Sequence, residues 1–174
     1  MAIGTMLFSC ENDVAEVKSL TDEKVYPEQA AKDVEVLYSE KGRVTMQLNA
    51  PELNQYGGEE PYDEMPNGVH VKIFDSLMSV TTELTSNYAI RRTFKDQMEA
   101  KYEVIVINDK GEKLETEELL WDEKTGKITS DVFVTITTKD QIIMGDGLIA
   151  NEDFTEYRII KPTGMLNIEN DSTN

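Results

Sequence analysis

The stretch from Asp33 to Leu48, DVEVLYSEKGRVTMQL, decides the fold. Val34, Val36 and Tyr38 recur at every second position. Ser39-Glu40-Lys41-Gly42 is a turn, and after it Val44, Met46 and Leu48 alternate with Arg43, Thr45 and Gln47. A period of two puts every second side chain on one face of an extended chain. Two such runs around a glycine-containing turn make a β-hairpin with one apolar face. The same rhythm continues outward through Val69, Val71 and Ile73, then Val80, Thr82 and Leu84, then Tyr88 and Ile90. Tyr102 to Ile107 is apolar at nearly every position, which suits a strand covered on both faces. Asn108-Asp109-Lys110-Gly111 is a turn, and Leu114, Leu119-Leu120-Trp121 and Ile128 follow. Asp131 to Thr138, DVFVTITT, is strongly β-prone. Ile142-Ile143-Met144, the turn Gly145-Asp146-Gly147, Leu148 and Ala150 lead to a last strand with Phe154, Tyr157, Ile159 and Ile160. Residues 54–68, rich in Gly, Glu and Pro, are expected to be a long loop. Turn signals every 8–12 residues or so predict an all-β sandwich or curled barrel. No helix-period segment of useful length occurs.

Composition bounds the function. The chain has 174 residues, with 34 Asp and Glu against 17 Lys and Arg, for a net charge of −17. Nucleic-acid binders rely on cations that neutralise phosphates, and this chain is the opposite. An anionic membrane surface is disfavoured as a docking partner for the same reason. One Cys excludes an intramolecular disulfide and a cysteine-cluster zinc site, and one His (His70) excludes multi-histidine metal sites. No apolar run approaches the ~18 residues of a spanning helix. The charge is uneven: residues 69–108 balance at 5 acidic against 5 basic residues, and hold Arg91, Arg92 and Lys95 close together. That cluster is a candidate for meeting an anionic group on an otherwise repelling surface.

The amino terminus reads MAIGTMLFSC. An apolar residue three before a cysteine and a small residue just before it form the pattern of a bacterial lipoprotein signal. No Lys or Arg precedes the apolar stretch. The reading is a signal over 1–10 cut before Cys10, a lipidated Cys10, a polar tether over 11–32, a β-domain over 33–161 and a frayed tail over 162–174.

Motifs for catalysis are missing. No Walker A loop, GxGxxG, GxSxG or HExxH occurs. Gly145-Asp146-Gly147 reads as a tight turn or bulge that needs glycine, and His70 as a surface residue opposite Val69 and Val71. Trp121 reads as a core anchor. Carboxylates are abundant, but nothing marks a pair for glycoside hydrolysis. No cofactor is expected.

Several stretches, taken in order, resemble the Bacteroidetes branch of the LptC family. They are Pro27 to Tyr38 (PEQAAKDVEVLY) with SEKG after it, Pro66 to Asp75 (PNGVHVKIFD), Leu84 to Ala89 (LTSNYA), Asn108 to Asp122 (NDKGEKLETEELLWD) and Lys127 to Ile160. The most specific part runs from Gly111 to Ile160: L-x-T-x-x-L-x-W-D, then I-x-S-D-x-x-V-x-I, then I-x-G-x-G-L. The resemblance implies an OstA-like fold, a twisted open β-jellyroll of many short antiparallel strands, and no catalysis. It implies a periplasmic protein that takes lipopolysaccharide from inner-membrane transporter subunits of the LptF/LptG kind and passes it to an LptA-like bridge protein. Familiar members carry an amino-terminal transmembrane helix, whereas this chain has Leu7-Phe8-Ser9-Cys10.

A role in carrying acyl chains needs an apolar face between sheets, and the alternation nominates Val44, Met46, Leu48, Val71, Ile73, Val80, Leu84, Ile105, Phe133 and Ile143 for it. The same residues would equally fill a closed core. Arg91, Arg92 and Lys95 are the head-group candidates. The resemblance places the first strand (Val34, Val36, Tyr38) toward the transporter and the last (Phe154, Tyr157, Ile159) toward the bridge protein, each pairing through its free edge. The alternative is a glycan-binding or adhesive β-sandwich lipoprotein, with a closed core and exposed rim aromatics.

Overall fold

The hairpin forms as its alternation dictates. In a computed structural model, which describes residues 26–152 and 154–167, β1 (Gln29–Glu40) pairs antiparallel with β2 (Arg43–Tyr56). Val36 lies opposite Leu48 and Tyr38 opposite Met46. Lys41 and Gly42 make the two-residue turn, both with positive φ (51° and 80°). That geometry matches the twist of the flanking strands, and glycine adopts it without steric cost.

Fourteen strands follow in chain order, with no helix among the described residues. After β1 and β2 come β3 (Tyr62–Met65), β4 (Val69–Phe74), β5 (Val80–Ser86), β6 (Tyr88–Arg92), β7 (Gln97–Asn108) and β8 (Lys113–Asp122). Then come β9 (Lys127–Ser130), β10 (Val134–Thr137), β11 (Gln141–Gly145), β12 (Leu148–Asn151), β13 (Tyr157–Ile159) and β14 (Pro162–Asn167). Every pairing is antiparallel.

Four long strands divide the hydrogen-bonded network into two layers. The first part of β2 pairs with β4, and its end pairs with β3. The first part of β7 pairs with β6, and its end pairs with β5. The first part of β8 pairs with β10, and its end pairs with β9. β1 follows β2 along both halves. One sheet therefore runs β1-β2-β4-β5-β7-β8-β10-β11-β14, and the other β1-β2-β3-β6-β7-β8-β9-β12-β13. This is a twisted β-jellyroll.

The bends that carry a strand from one sheet to the other have local causes. The ladder between β7 and β8 breaks between Lys101 and Val104, where Tyr102 and Glu103 take left-handed φ (62° and 52°). Asp33 has φ 51° between the two halves of β1, and Pro51, which has no amide hydrogen to give a ladder, stands between the two halves of β2.

The described structure starts and ends differently from the sequence reading. Gln29 to Lys32, expected as tether, are part of β1, and Pro162 to Asn167, expected as frayed tail, form β14 against β11. Residues 54–68, expected as a loop, hold the end of β2 and all of β3. Cys10 and the first 25 residues lie outside the described part.

Two apolar clusters fill the space between the sheets. Leu48, Ala50, Val69 and Val71 from the first sheet meet Met65, Ala89 and Met98 from the second. Val104, Val106, Leu114, Val134 and Ile136 meet Ala100, Leu119, Ile128, Leu148 and Ala150. Leu84 and Trp121 pack against both clusters and join them.

Candidate functional site

The inner face of the first sheet is a continuous apolar row. The register aligns Val36, Leu48, Val71, Leu84, Val106, Leu114, Ile136, Ile143 and Met165 across nine strands. A neighbouring row holds Tyr38, Met46, Ile73 and Thr82. From the second sheet, Arg91, Met98, Trp121, Ile128, Ala150 and Tyr157 align likewise. Period-two alternation turns these rows inward and leaves the polar residues between them outside.

Between the rows lie two small apolar cavities. One, of about 60 Å³, is lined by Met46, Val71, Ile73, Leu84, Met98, Ala100, Leu119, Trp121, Ile128, Phe154 and Glu152. The other, of about 30 Å³, is lined by Val106, Leu114, Ile136, Leu148, Phe154 and Tyr157 with Asn108, Glu112 and Lys113. The buried Nε1–H of Trp121 has no hydrogen-bond partner. A buried donor left unpaired costs about 1–3 kcal/mol.

The structure sorts the nominated residues. Met46, Leu48, Val71, Ile73, Leu84 and Ile143 share the inner face of the first sheet. Val44 is half-buried and lies past the bulge at Tyr38/Ser39. Val80 is exposed and pairs with Phe74 beyond a second bulge. Ile105 and Phe133 are on the outer face. Ile105 lies opposite Thr85 and Glu115, while the neighbours that point inward are Val104 and Val106. Phe133 is 51% exposed. Both line an outer depression of about 650 Å³ with Glu103, Glu115 and Glu117. That depression is larger than the inner cavities but rimmed by three carboxylates, whereas the larger inner cavity has Glu152 as its one charged lining residue, so a hydrocarbon chain meets fewer charges inside.

The three cations do not form one site. Successive strand residues point to opposite faces, so Arg91 and Arg92 part company. Arg91 turns inward. Its Nε and Nη2 donate to Glu123 at 2.7 and 3.0 Å, and its guanidinium sits 5.8 Å from the Tyr38 ring centroid. Arg91 belongs to the second sheet and Tyr38 faces it from the first, so this is a polar crossing between them. The Glu123 carboxylate pushes the Arg91 pKa further up, and burial raises that of Tyr38. Lys95 is exposed in the turn after β6, over the Phe94 ring at 5.1 Å.

Arg92 faces outward and bonds Glu99 at 2.9 Å. Lys101 reaches the other Glu99 oxygen at 2.9 Å and Glu118 at 3.7 Å. Burial works to raise the Glu99 pKa, but the bonds from Lys101 and Arg92 outweigh it and hold it below the usual carboxylate value. Burial, followed by the bond to Glu99, raises that of Glu118. Glu99→Ala is expected to cost about 1–2 kcal/mol, since both cations are partly in water. A depressed carboxylate stabilises the fold above its unfolded pKa, about 4.3, and loses that contribution as pH falls through the lower folded value. Glu118, with a raised pKa, works in the opposite sense. Urea unfolding should therefore show the gap between wild type and Glu99→Ala full at pH 7 and closing at acidic pH.

Among the edge residues, Val34, Val36 and Tyr38 are on β1, which pairs only with β2 among the described residues. Tyr157 and Ile159 are on β13, which among the described residues pairs only with β12. Phe154 is not on an edge: it is 8% exposed, buried between the sheets from the turn before β13. Sequence reasoning missed β14, the outermost strand of the first sheet, because Pro162 and Gly164 are poor strand signals. His70 is on the outer face, 2.7 Å from Glu83. Gly147 has φ 135°, and a Cβ there would crowd the Ser130 carbonyl, which accounts for the glycine in this turn. No group of three metal-ligating side chains occurs among the described residues, and no described helix is long and apolar enough to cross a membrane.

Two facing sheets, an apolar interior and single-partnered strands at both ends define a β-jellyroll whose edges can take a further strand. Residues 1–163 match the family model for lipopolysaccharide assembly, LptC-related, and the chain belongs to that family. It is thus a component of lipopolysaccharide transport in the cell envelope, a family of transport components rather than enzymes. No curated protein matches the chain in a sequence comparison.

Proposed function

We propose that the inter-sheet space shields lipopolysaccharide acyl chains while the molecule passes from an inner-membrane transporter to an LptA-like bridge protein. The observation that carries this reading is the inner row from Val36 to Met165, apolar on all nine strands. Each buried methylene contributes about 0.8 kcal/mol, and the attraction has no direction, so chains slide without a specific lock. The empty space is small, about 60 Å³ in the larger cavity, far less than an acyl chain fills. A chain therefore enters by displacing side chains. Met46 and Met98 line the larger cavity and have the flexible stems such repacking needs. The unpaired Trp121 donor would meet an ester or hydroxyl oxygen of the lipid.

In this reading β1 faces transporter subunits of the LptF/LptG kind, and β13 with β14 faces the bridge protein. Cys10 would carry acyl chains that hold the protein on the periplasmic side of the inner membrane. A net charge of −17 repels lipid phosphates, so tails rather than head groups supply the affinity.

The test is photo-crosslinking with purified lipopolysaccharide. A photoreactive residue at Leu84 or Ile73 should form adducts, and one at Ile105 or Phe133 should not. De-acylated polysaccharide should not compete. Adducts confined to the outer positions, or competition by the free polysaccharide, would favour a glycan-binding module and overturn the carrier reading.

A further inference from the structure

Phe154 reaches the interior from a turn, whereas Met46, Val71, Leu84, Met98 and Trp121 reach it from strands. Its ring is a wall of both cavities, so it stands between the larger space and the smaller one. With the ring gone, the apolar surfaces of Met46 and Trp121 on one side and of Leu114 and Leu148 on the other would join in one path. Phe154 thus occupies the place that an extended hydrocarbon running through the molecule would take.

The backbone around it is built differently from the strands. Phe154 has a left-handed φ of 55°, which an aromatic residue adopts only under constraint. Its N–H donates to the Asn151 carbonyl at 3.0 Å. Asn151 also gives its side-chain amide to Thr155 Oγ1 (2.8 Å) and accepts the Glu156 N–H on Oδ1 (2.9 Å). These bonds stay within one turn. Rotating the ring out about its own side-chain bonds breaks no strand ladder. The strand-borne lining residues can repack their side chains, but their backbones are held in ladders and cannot move aside.

Resting on the carrier reading above, we propose that Phe154 is a removable plug: it fills the acyl path while the protein is empty and leaves when a saturated acyl chain enters. The interior then stays dry without cargo, and the ring competes with the chain for one site.

Trp121, the only tryptophan, lines the larger cavity and reports on it without a label. The full chain and its Phe154→Ala variant are titrated with myristate and with purified lipopolysaccharide, and Trp121 emission is followed. Removing a competing internal group raises apparent affinity by the inverse of the fraction already open, so the variant should bind about tenfold tighter or more. Equal or weaker binding by a folded variant, with wild type still binding, overturns the plug and leaves the carrier reading standing. No response from either protein to either probe overturns both. Because Phe154→Ala also removes core packing, hydroxyl-radical footprinting of the unmodified protein gives a second measure. Labelling of Phe154 should rise several-fold when lipid is added, and unchanged or reduced labelling overturns the plug.

Discussion

Leu148→Ala is expected to lower the unfolding free energy by about 3–4 kcal/mol, in the middle of the roughly 2–5 kcal/mol range for a large-to-small change at a buried site. Leu148 has 0% exposure at the start of β12 and lies opposite Ser130 on one side and Ile159 on the other. It already borders an unfilled cavity of about 30 Å³. The surrounding strands are locked in their ladders, so they cannot collapse into the new space, and the lost packing is not recovered. At about 2–4 °C per kcal/mol for a chain of this size, thermal unfolding should fall by roughly 6–16 °C. Calorimetry checks it, and a fall under 3 °C would show that the second sheet closes over the void. The outward-facing neighbour Ile149→Ala should cost about 1 kcal/mol or less, because it is only partly buried. The contrast between adjacent residues tests the face assignment itself.

Alternation alone predicted most of the inner face. Val34, Val36 and Tyr38, Met46 and Leu48, Val71 and Ile73 follow a strict period of two, and the structure places each set on one face. The failures have a common cause. Ile105 lies in the run Tyr102 to Ile107, where apolar residues occupy both faces and period gives no parity. The left-handed pair Tyr102 and Glu103 resets the phase just before it, and nothing in those residue types announces that. Phe133 stands beside Val132 and Val134 in a similar run, and only Val134, of the three, is buried. Val80 was moved off the row by the bulge between Ile73 and Phe74.

For the cations, the signal was present but was read by proximity: Arg91 and Arg92 are adjacent in a strand, so a period of two already separates them. Glu99 lies across the same β6–β7 hairpin as Arg92, seven residues on, whereas Glu123 comes from a turn 32 residues from Arg91, beyond the reach of local pattern. The sequence groups Phe154 with Tyr157, Ile159 and Ile160 as one last strand, although Phe154 stands three residues before Tyr157 and a period of two does not include it. Its role depends on the turn built around Asn151, a tertiary fact.

Tyr157→Pro is expected to abolish capture of an LptA-like bridge protein, if β13 is where that partner adds its strand, while changing the melting temperature by only a few degrees. The argument rests on where the amides point. Ile160 N–H donates to the Gly147 carbonyl at 2.8 Å and Asn151 N–H to the Glu156 carbonyl at 3.1 Å. With Leu148 opposite Ile159 and Ala150 opposite Tyr157, those bonds make Arg158 and Ile149 the hydrogen-bonded pair. The N–H groups of Tyr157 and Ile159 therefore point away from β12, toward the open edge. A proline at 157 removes a donor that only an incoming strand would use. Tyr157 borders the smaller cavity but is 39% exposed, whereas Ile159 packs on the core, so Ile159 is the poorer probe. Arg158→Pro is the matched control, because it deletes a ladder bond inside the fold and should destabilise it by about 1 kcal/mol or more. Pull-down and calorimetry on the three proteins together separate the outcomes. A folded Tyr157→Pro protein that still captures the partner at wild-type level would move the contact to β14 or away from this end altogether.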